Sequence, residues 1–235
     1  MFNTLSVHHD NDSSRSGAMN MAIDEALLET AHTPSVRFYR WNRSALSFGY
    51  FGRFADVKIH APERDLVRRW TGGGIVFHGE DLTYSIIIPA NDPSFARSSM
   101  SIYESVHRAL GAALVERGEQ AELATVAALY ERRNQVTSAV VDRRYSTDFC
   151  FSKPVRADIL KNGQKIAGAA QRRTRRGLLQ QGSIQHVDLP EDFEMRFAAQ
   201  LSVEVTIQEL NGALLERARE IAEQKYGTDA WLRRR

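Results

Sequence analysis

The amino-acid sequence predicts an α+β fold, because segments that read as β-strands follow one another in runs and isolated helices separate those runs. Apolar residues recur three and four positions apart in three segments, which is the spacing of amphipathic helices. Asn162-Gly163 stands between two alternating segments, and this dipeptide is a strong short-range signal for a β-hairpin. The sequence has no repeat, low-complexity segment or linker, so we expect one domain over residues 1–235.

The predicted elements follow one another along the chain. An amphipathic helix covers residues 19–30. The β-prone segments that follow it are residues 35–41, 45–51, 66–69, 75–78 and 82–89. A second helix begins at a capping box of Ser101 and Glu104 and ends at Gly118. Strands resume at residues 156–160, 165–171 and 178–185. A capping box of Thr206 and Glu209 begins the last helix, which Gly227 ends.

Composition and charge limit the possible functions. Of the 235 residues, 43% are hydrophobic and 26% are charged, so the chain can bury a full core as a soluble protein. No apolar run reaches the roughly 18 residues of a membrane span, and residues 1–15 do not read as a signal peptide, so we expect a cytoplasmic protein. The net charge of +2 is too small to indicate nucleic-acid binding. Cys150 is the one cysteine, which excludes an internal disulfide, and no Cys/His cluster indicates a metal site.

Three consecutive glycines, Gly72, Gly73 and Gly74, lie between two predicted strands. Glycine has no Cβ, so such a loop can bend sharply and lets a ligand approach its amides closely. The plain alternative is a turn whose glycines only relieve steric crowding. The spacing fits neither the dinucleotide-binding fingerprint nor the P-loop.

Four short blocks occur in one order along the chain. They are Met-Asn-Met-Ala-Ile-Asp-Glu-Ala at 19–26, Arg-Phe-Tyr-Arg-Trp at 37–41, Arg-Arg-Trp-Thr-Gly-Gly-Gly-Ile-Val-Phe-His at 68–78 and Lys-Ile-Ala-Gly-Ala-Ala-Gln-Arg at 165–172. Together they resemble the biotin/lipoate protein ligase superfamily. The resemblance implies a mixed β-sheet flanked by helices. It also implies an enzyme that moves lipoyl, octanoyl or biotinyl groups onto one lysine of a small carrier domain.

One subgroup of this superfamily is the cysteine-dependent octanoyltransferases. Residues 150–154 match their Cys-Phe-x-x-Pro, and Asp-Leu-Thr-Tyr-Ser at 81–85 matches their acidic-Leu-Thr-Tyr-Ser. The resemblance implies that Cys150 carries the acyl group as a thioester and that Lys165 polarises the acyl carbonyl. It implies an acyl carrier protein as donor, a lipoyl domain or glycine cleavage H-like carrier protein as acceptor, and no cofactor. From this resemblance we also expect no accessory C-terminal domain of the kind that many lipoate ligases have.

Two other interpretations stay open. The chain resembles the ATP-dependent lipoate ligases at Gly74 and at Arg156-Ala157-Asp158, which implies that Asp158 helps to hold ATP and Mg²⁺. A lipoate-binding protein without turnover is the third interpretation, because Gln181 stands where both subgroups commonly have a histidine.

The resemblance also assigns residues to the binding of lipoate or octanoate. They are Arg69, Gly72, Gly73, Gly74, His78, Gly168 and Ala169. His78 has a plain alternative as a packed, hydrogen-bonded histidine, and the small residues Gly168 and Ala169 either leave room for the substrate chain or only pack. In the same way, Cys150 is either a nucleophile or a small buried apolar residue, and Lys165 is either functional or an exposed hairpin lysine.

A cluster of four arginines follows the last of these blocks. The cluster consists of Arg172, Arg173, Arg175 and Arg176. It is either a surface for the acidic face of a carrier domain or a solvated turn.

Overall fold

A computed structural model describes residues 1–10, 12, 15–41, 44–115, 121–125 and 154–234. The strands of these residues are β1 (Phe2–Asp10), β2 (Ser35–Tyr39), β3 (Ala45–Phe48), β4 (Asp65–Arg68), β5 (Ile75–His78), β6 (Leu82–Pro89), β7 (Ala121–Leu123), β8 (Ile159–Lys161), β9 (Gln164–Arg173), β10 (Gly177–Ile184) and β11 (Ser202–Ile207). The helices are α1 (Gly17–Thr30), α2 (Ser99–Val115), α3 (Phe193–Leu201), α4 (Gly212–Ile221) and α5 (Asp229–Leu232).

The strands of the described ranges form two sheets. The main sheet has eight strands in the order β11-β1-β2-β6-β10-β9-β8-β7, and the small sheet has three in the order β4-β3-β5. In the main sheet β1 runs parallel to both of its neighbours, and all other pairs are antiparallel. The prediction of an α+β fold with a mixed sheet flanked by helices is therefore confirmed.

Helices cover both faces of the main sheet. On one face α2 and α3 pack against Ile86 and Ile88 of β6, and on the other face α1 and α4 pack with Ile87. Successive side chains of a strand point to opposite faces, so three consecutive isoleucines supply apolar groups to both cores. All 8 residues of β6 are buried as a result. β6 is the rigid central strand beside which the candidate site lies.

The hairpin predicted at Asn162-Gly163 is present, between β8 and β9. Asn162 has a φ of 50° and Gly163 a φ of 75°, the two positive values that a two-residue hairpin turn of this type requires. The strand predicted at 156–160 was placed too early. Ala157 has a φ of 67°, which no strand residue adopts, so β8 begins at Ile159.

Both predicted capping boxes are wrong. Ser101 lies inside α2, and Ser98 Oγ accepts the Ser101 amide at 3.1 Å. Thr206 lies in β11, and Asn211 caps α4 by accepting the Leu214 amide at 2.9 Å. Both boxes had the right residue types, but a suitable cap stood a few residues away. The predicted end at Gly118 falls outside the described residues.

The sequence patterns did not predict β1, β7, β11, α3 or α5. β1 and β11 pair with each other in parallel at one edge of the main sheet. Each strand depends on a partner about two hundred residues away, and the Ser202 hydroxyl donates to the Phe2 carbonyl across a separation of 200 residues. A local pattern carries no information about such a partner.

None of the helices in the described part of the chain is long and apolar enough to cross a lipid bilayer.

Candidate active site

A pocket opens between the main sheet and the small sheet, and we call it the central pocket. Its cavity volume is about 30 Å³. Its lining is Met21, Tyr39, Trp41, Ser47, Arg69, Val76, His78, Thr83, Gly168, Ala169, Ala170, Gln181, Gly182 and Ser183. Four predicted binding residues, Arg69, His78, Gly168 and Ala169, belong to this lining. The predicted loop glycines Gly72, Gly73 and Gly74 are not part of this lining. Gly73 and Gly74 line a neighbouring cleft.

Lys165 points inward from the β8–β9 hairpin. Its Nζ lies 2.8 Å from Asp158 Oδ2, and the two side chains are 2% and 0% exposed. Buried charges are tolerated when they are paired in this way. The structure therefore excludes the interpretation of Lys165 as an exposed hairpin lysine.

Asp158 has two further hydrogen-bond donors. The Tyr103 hydroxyl donates to Oδ1 at 2.6 Å, and the Val155 amide donates to Oδ2 at 2.7 Å. Burial raises the pKa of Tyr103, and the neighbouring Asp158 charge raises it further, so Tyr103 stays a neutral donor. We call Asp158, Lys165, Tyr103 and the Val155 amide the Asp158 cluster.

Gly168 is a glycine because Lys165 crosses it. A Cβ at this position would lie closer than 3.0 Å to both Cε and Nζ of Lys165. The lysine side chain thus passes directly over Gly168, which also lines the central pocket. Next to it, the Ala169 amide donates to the Tyr103 hydroxyl at 3.0 Å, which joins the wall of the central pocket to the Asp158 cluster.

Arg69 holds the glycine loop. Its Nη2 donates to the Gly72 carbonyl at 3.1 Å and to the Gly74 carbonyl at 2.8 Å. Between these two carbonyls Gly73 has a φ of 85°, which a residue with a Cβ rarely adopts. Arg69 therefore fixes the shape of the loop as well as lining the central pocket.

His78 is hydrogen-bonded at both ring nitrogens. Nδ1 lies 2.8 Å from Asp81 Oδ2, and Nε2 lies 2.6 Å from Ser47 Oγ. The ring stacks on Trp41 with 4.0 Å between the ring centroids. Burial alone would raise the pKa of Asp81, but the attraction of His78 and the bonds to the carboxylate together lower it. His78 is thus a packed, hydrogen-bonded histidine that also lines the pocket.

Gln181, where the family pattern commonly has histidine, is integrated in the pocket floor. Its Nε2 donates to Asp24 Oδ2 at 2.7 Å, and its Oε1 accepts the Thr71 hydroxyl at 2.8 Å. Asp24 in turn pairs with the buried Arg37 at 2.8 Å. The amide thereby connects helix α1 to the start of the glycine loop.

His107 supports the segment before Asp158. Its Nδ1 lies 2.6 Å from the Ala157 carbonyl, and its Nε2 lies 2.9 Å from the Tyr84 hydroxyl. Burial lowers the pKa of His107 to about 4. At neutral pH the ring is uncharged, so Nδ1–H donates to the carbonyl and Nε2 accepts from the tyrosine.

The four arginines at residues 172–176 differ in their contacts. Arg172 stacks on the rings of Tyr50 and Trp70. Arg173 donates to the Phe95 and Arg97 carbonyls, and Arg176 pairs with Glu29 at 2.7 Å. Arg175 is exposed at the turn. The use of this cluster as a carrier-domain surface stays a prediction.

Sequence reasoning gave no role to Ser47, Tyr103 or His107, and it quoted Asp81 only as part of a motif. A spacing of three residues between His78 and Asp81 could have indicated their contact, whereas nothing local indicates the other partners. The predicted nucleophile Cys150 lies outside the described residues. Within the described ranges there is no group of three or more His, Cys, Asp or Glu side chains that could hold a metal ion.

Comparisons with known proteins show which sequences the chain is similar to. Residues 16–216 match the family model of the lipoyl protein ligase A/B catalytic domain. Octanoyltransferase LipM of Brevibacillus brevis is 30% identical, over 94% of this chain and 96% of that protein. Octanoyltransferase LipM of Staphylococcus aureus is 34% identical, over 79% of this chain and 68% of that protein.

Two solved structures share the fold. Protein Ta0514 of Thermoplasma acidophilum, with bound lipoic acid, superposes with a TM-score of 0.70 at 20% identity, covering 98% of this chain and 99% of that one. A lipoate-protein ligase A bound with ATP superposes with a TM-score of 0.71 at 20% identity, covering 99% of this chain and 98% of that one.

Proposed function

The chain belongs to the family of lipoyl protein ligase A/B catalytic domains, and from this premise we propose that it is an octanoyltransferase acting on lipoyl domains. The observation that carries the proposal is the buried ion pair of Lys165 and Asp158 beside the central pocket. An ammonium fixed in a water-poor site can stabilise negative charge that develops on an acyl oxygen. The relatives named octanoyltransferase support the choice of acyl group.

The proposed reaction has two steps, and Cys150 takes part in both. First, the Cys150 thiolate attacks the thioester carbonyl of an octanoyl carrier protein, a new carbon–sulfur bond forms, and the carrier thiolate leaves and takes up a proton. Second, the amine of a lipoyl-domain lysine attacks the octanoyl–Cys150 carbonyl. An amide forms, the amine loses one proton, and the Cys150 sulfur leaves. Lys165 donates a hydrogen bond to the carbonyl oxygen in both steps, and neither step needs ATP.

The contacts of Asp158 favour this mechanism over lipoate adenylation. In the ligase interpretation Asp158 helps to hold ATP and Mg²⁺. Its two oxygens already accept bonds from Lys165, Tyr103 and the Val155 amide. A carboxylate has about four lone-pair positions, so little of Asp158 is left for a metal ion. The other two donors, Tyr103 and the Val155 amide, fix the carboxylate in the position where it pairs with Lys165.

The test is a direct comparison of two substrate pairs. The purified protein is incubated with an apo lipoyl domain and either octanoyl carrier protein without ATP, or ATP, Mg²⁺ and lipoate. Mass spectrometry of the lipoyl domain should detect an octanoyl amide in the first mixture only. An octanoyl adduct on Cys150 should be present before the lipoyl domain is added and absent in Cys150→Ala.

Each other result has a clear meaning. Lipoyl product that requires ATP would establish a ligase instead. Full octanoyl transfer by Cys150→Ala would reject the thioester step. Binding of octanoate with no product in either mixture would indicate a binding protein.

A further inference from the structure

Four side chains at the wall of the central pocket form one continuous hydrogen-bonded chain, which we call the Asp81 relay. Asp81 Oδ2 lies 2.8 Å from His78 Nδ1, and His78 Nε2 lies 2.6 Å from Ser47 Oγ. Arg69 Nη1 donates to the same Ser47 oxygen at 2.6 Å. All four residues are buried, with Ser47 at 0% exposure.

Two hydrogen bonds of the relay have a direction that the chemistry of the groups fixes. The Asp81 carboxylate can only accept, so His78 Nδ1 carries a proton and donates to it. The Arg69 guanidinium can only donate, so Ser47 Oγ accepts from Arg69 and is also hydrogen-bonded to His78 Nε2. Thr83, Ser183 and the Gly79 amide also donate to Asp81, at 3.0, 2.7 and 3.1 Å. The carboxylate is therefore a fixed anchor for the relay.

Arg69, the last member of the relay, holds the glycine loop. Arg69 Nη1 donates to Ser47, and Arg69 Nη2 donates to the carbonyls of Gly72 and Gly74. Ser47 therefore helps to orient the guanidinium that holds the loop. The loop also touches the end of β3, because a Cβ on Gly49 would lie closer than 3.0 Å to the Gly73 carbonyl oxygen. Asp81, which is buried just before β6 of the main sheet, thus fixes the glycine loop between β4 and β5 of the small sheet.

Ser47, His78 and Asp81 have the spacing of a hydrolytic triad, but the contacts of Ser47 do not suit a nucleophile. A nucleophilic serine must expose a lone pair to the substrate carbonyl. Ser47 borders the central pocket but is 0% exposed, and one of the two lone pairs of its oxygen accepts from the Arg69 guanidinium. In this protein Ser47, His78 and Asp81 hold the Arg69 guanidinium.

We propose that Ser47 and His78 are positioning residues, which hold Arg69 at the central pocket and thereby fix the conformation of the glycine loop beside it. The acyl chain of the substrate is the ligand that this arrangement retains. Naming that ligand rests on the proposed function, whereas the effect on the loop does not.

Amide hydrogen exchange of the ligand-free protein tests the relay. The amides to follow are Tyr50, bonded to the Thr71 carbonyl, and Arg69, bonded to the Phe48 carbonyl, at 2.9 Å each. Ser47→Ala should exchange about tenfold faster at both, the effect of losing one buried hydrogen bond. Ser47→Thr keeps the hydroxyl and should restore slow exchange. Amides of the β6–β10 ladder should be unaffected.

Ser35→Ala is the matched control, because it deletes a buried serine hydroxyl of the main sheet that has no hydrogen-bond partner among the described residues. It should leave the exchange of the loop unchanged. If Ser47→Ala does not fold, His78→Asn replaces it, since the shorter amide can donate to Asp81 but does not reach Ser47. Unchanged exchange in the relay variants would overturn the proposal.

Kinetics with an octanoyl carrier protein separate positioning from chemistry. Ser47→Ala should raise the KM for the donor about tenfold and leave kcat within about twofold. A loss of kcat at unchanged KM would contradict a positioning role, and so would labelling of Ser47 by a fluorophosphonate. If the wild-type protein transfers no octanoyl group, the proposed function fails, and the exchange experiment still decides about the relay.

Discussion

Asp158 and Asp81 are two buried carboxylates near the same pocket, and they differ in what they hold. Asp158 pairs with an ammonium on a flexible four-carbon side chain. Asp81 accepts from the ring of His78 and from the hydroxyls of Thr83 and Ser183. A lysine side chain can shift toward a substrate oxygen, whereas rings and short hydroxyls cannot move far without breaking their packing. We infer that Asp158 positions Lys165 for the reaction, whereas Asp81 maintains the shape of the pocket wall.

The largest expected effect is that of replacing Lys165. Lys165→Met should lower kcat for octanoyl transfer on the order of 10²–10³-fold, the usual cost of removing one preorganised donor to a developing oxyanion. Lys161→Met changes a lysine of the same hairpin that is only half-buried and should leave kcat unchanged. Steady-state kinetics with both variants would decide whether activity requires the buried ammonium of Lys165 or only a positive charge on the hairpin.

Lys165→Met also leaves Asp158 charged and buried without its cation. The double variant with Asp158→Asn removes that charge, so it should recover stability without recovering activity. Activity in the double variant would contradict a chemical role for Lys165.

The second prediction compares the two carboxylates directly. Asp158→Asn strands the Lys165 ammonium in a buried site and should lower the free energy of unfolding by about 3–5 kcal/mol. Asp81→Asn removes an acceptor from donors that are mostly neutral and should cost about 1–3 kcal/mol. Urea unfolding of both variants at pH 7 measures the difference. Equal losses would show that the two sites do not differ in kind.

The third prediction concerns pH and the segment that carries Asp158. The pKa of His107 is about 4 in the folded protein because of burial, below its ordinary value of about 6.5. The unfolded chain therefore binds a proton first as pH falls. The stability that comes from the neutral ring is complete above about pH 6.5 and is lost on descending to about pH 4, in total about 3 kcal/mol.

His107→Gln removes this titration while it keeps a polar side chain. The difference in free energy of unfolding between wild type and His107→Gln, measured from pH 7 to pH 4, should shrink as pH falls. A constant difference across this range would mean that His107 does not titrate as its burial implies.

The sequence carried information about the two sites to different degrees. The resemblance singled out Lys165, and the hairpin that carries it was predicted because Asn162-Gly163 sets the turn locally, without a distant partner. The contact of His78 with Ser47 spans 31 residues, and that of Tyr103 with Asp158 spans 55. Such contacts depend on how strands and helices are arranged, which local spacing does not encode. The resemblance supplied the fold and named Asp158, but it assigned Asp158 to a nucleotide where the structure pairs it with Lys165.

The smallest expected effect is in the backbone next to Asp158. Ala157 has a φ of 67°, a left-handed conformation that costs a residue with a Cβ roughly 1–2 kcal/mol. Its carbonyl is bonded to His107 and its amide to the Ala124 carbonyl, so the surrounding contacts hold it there. Ala157→Gly removes the steric cost but increases the freedom of the unfolded chain, and the net gain in stability should be at most about 1 kcal/mol.

Ala157→Val is the opposite change, because a branched Cβ is still less compatible with positive φ. It should destabilise the protein by more than Ala157→Gly stabilises it. Thermal unfolding of both variants gives the two signs. At the other carboxylate, Gly79 precedes Asp81 without positive φ and has open space where a Cβ would lie. Gly79→Ala should therefore fit without strain, and a loss of stability there together with a loss in Ala157→Gly would place the backbone strain beside Asp81 instead of Asp158.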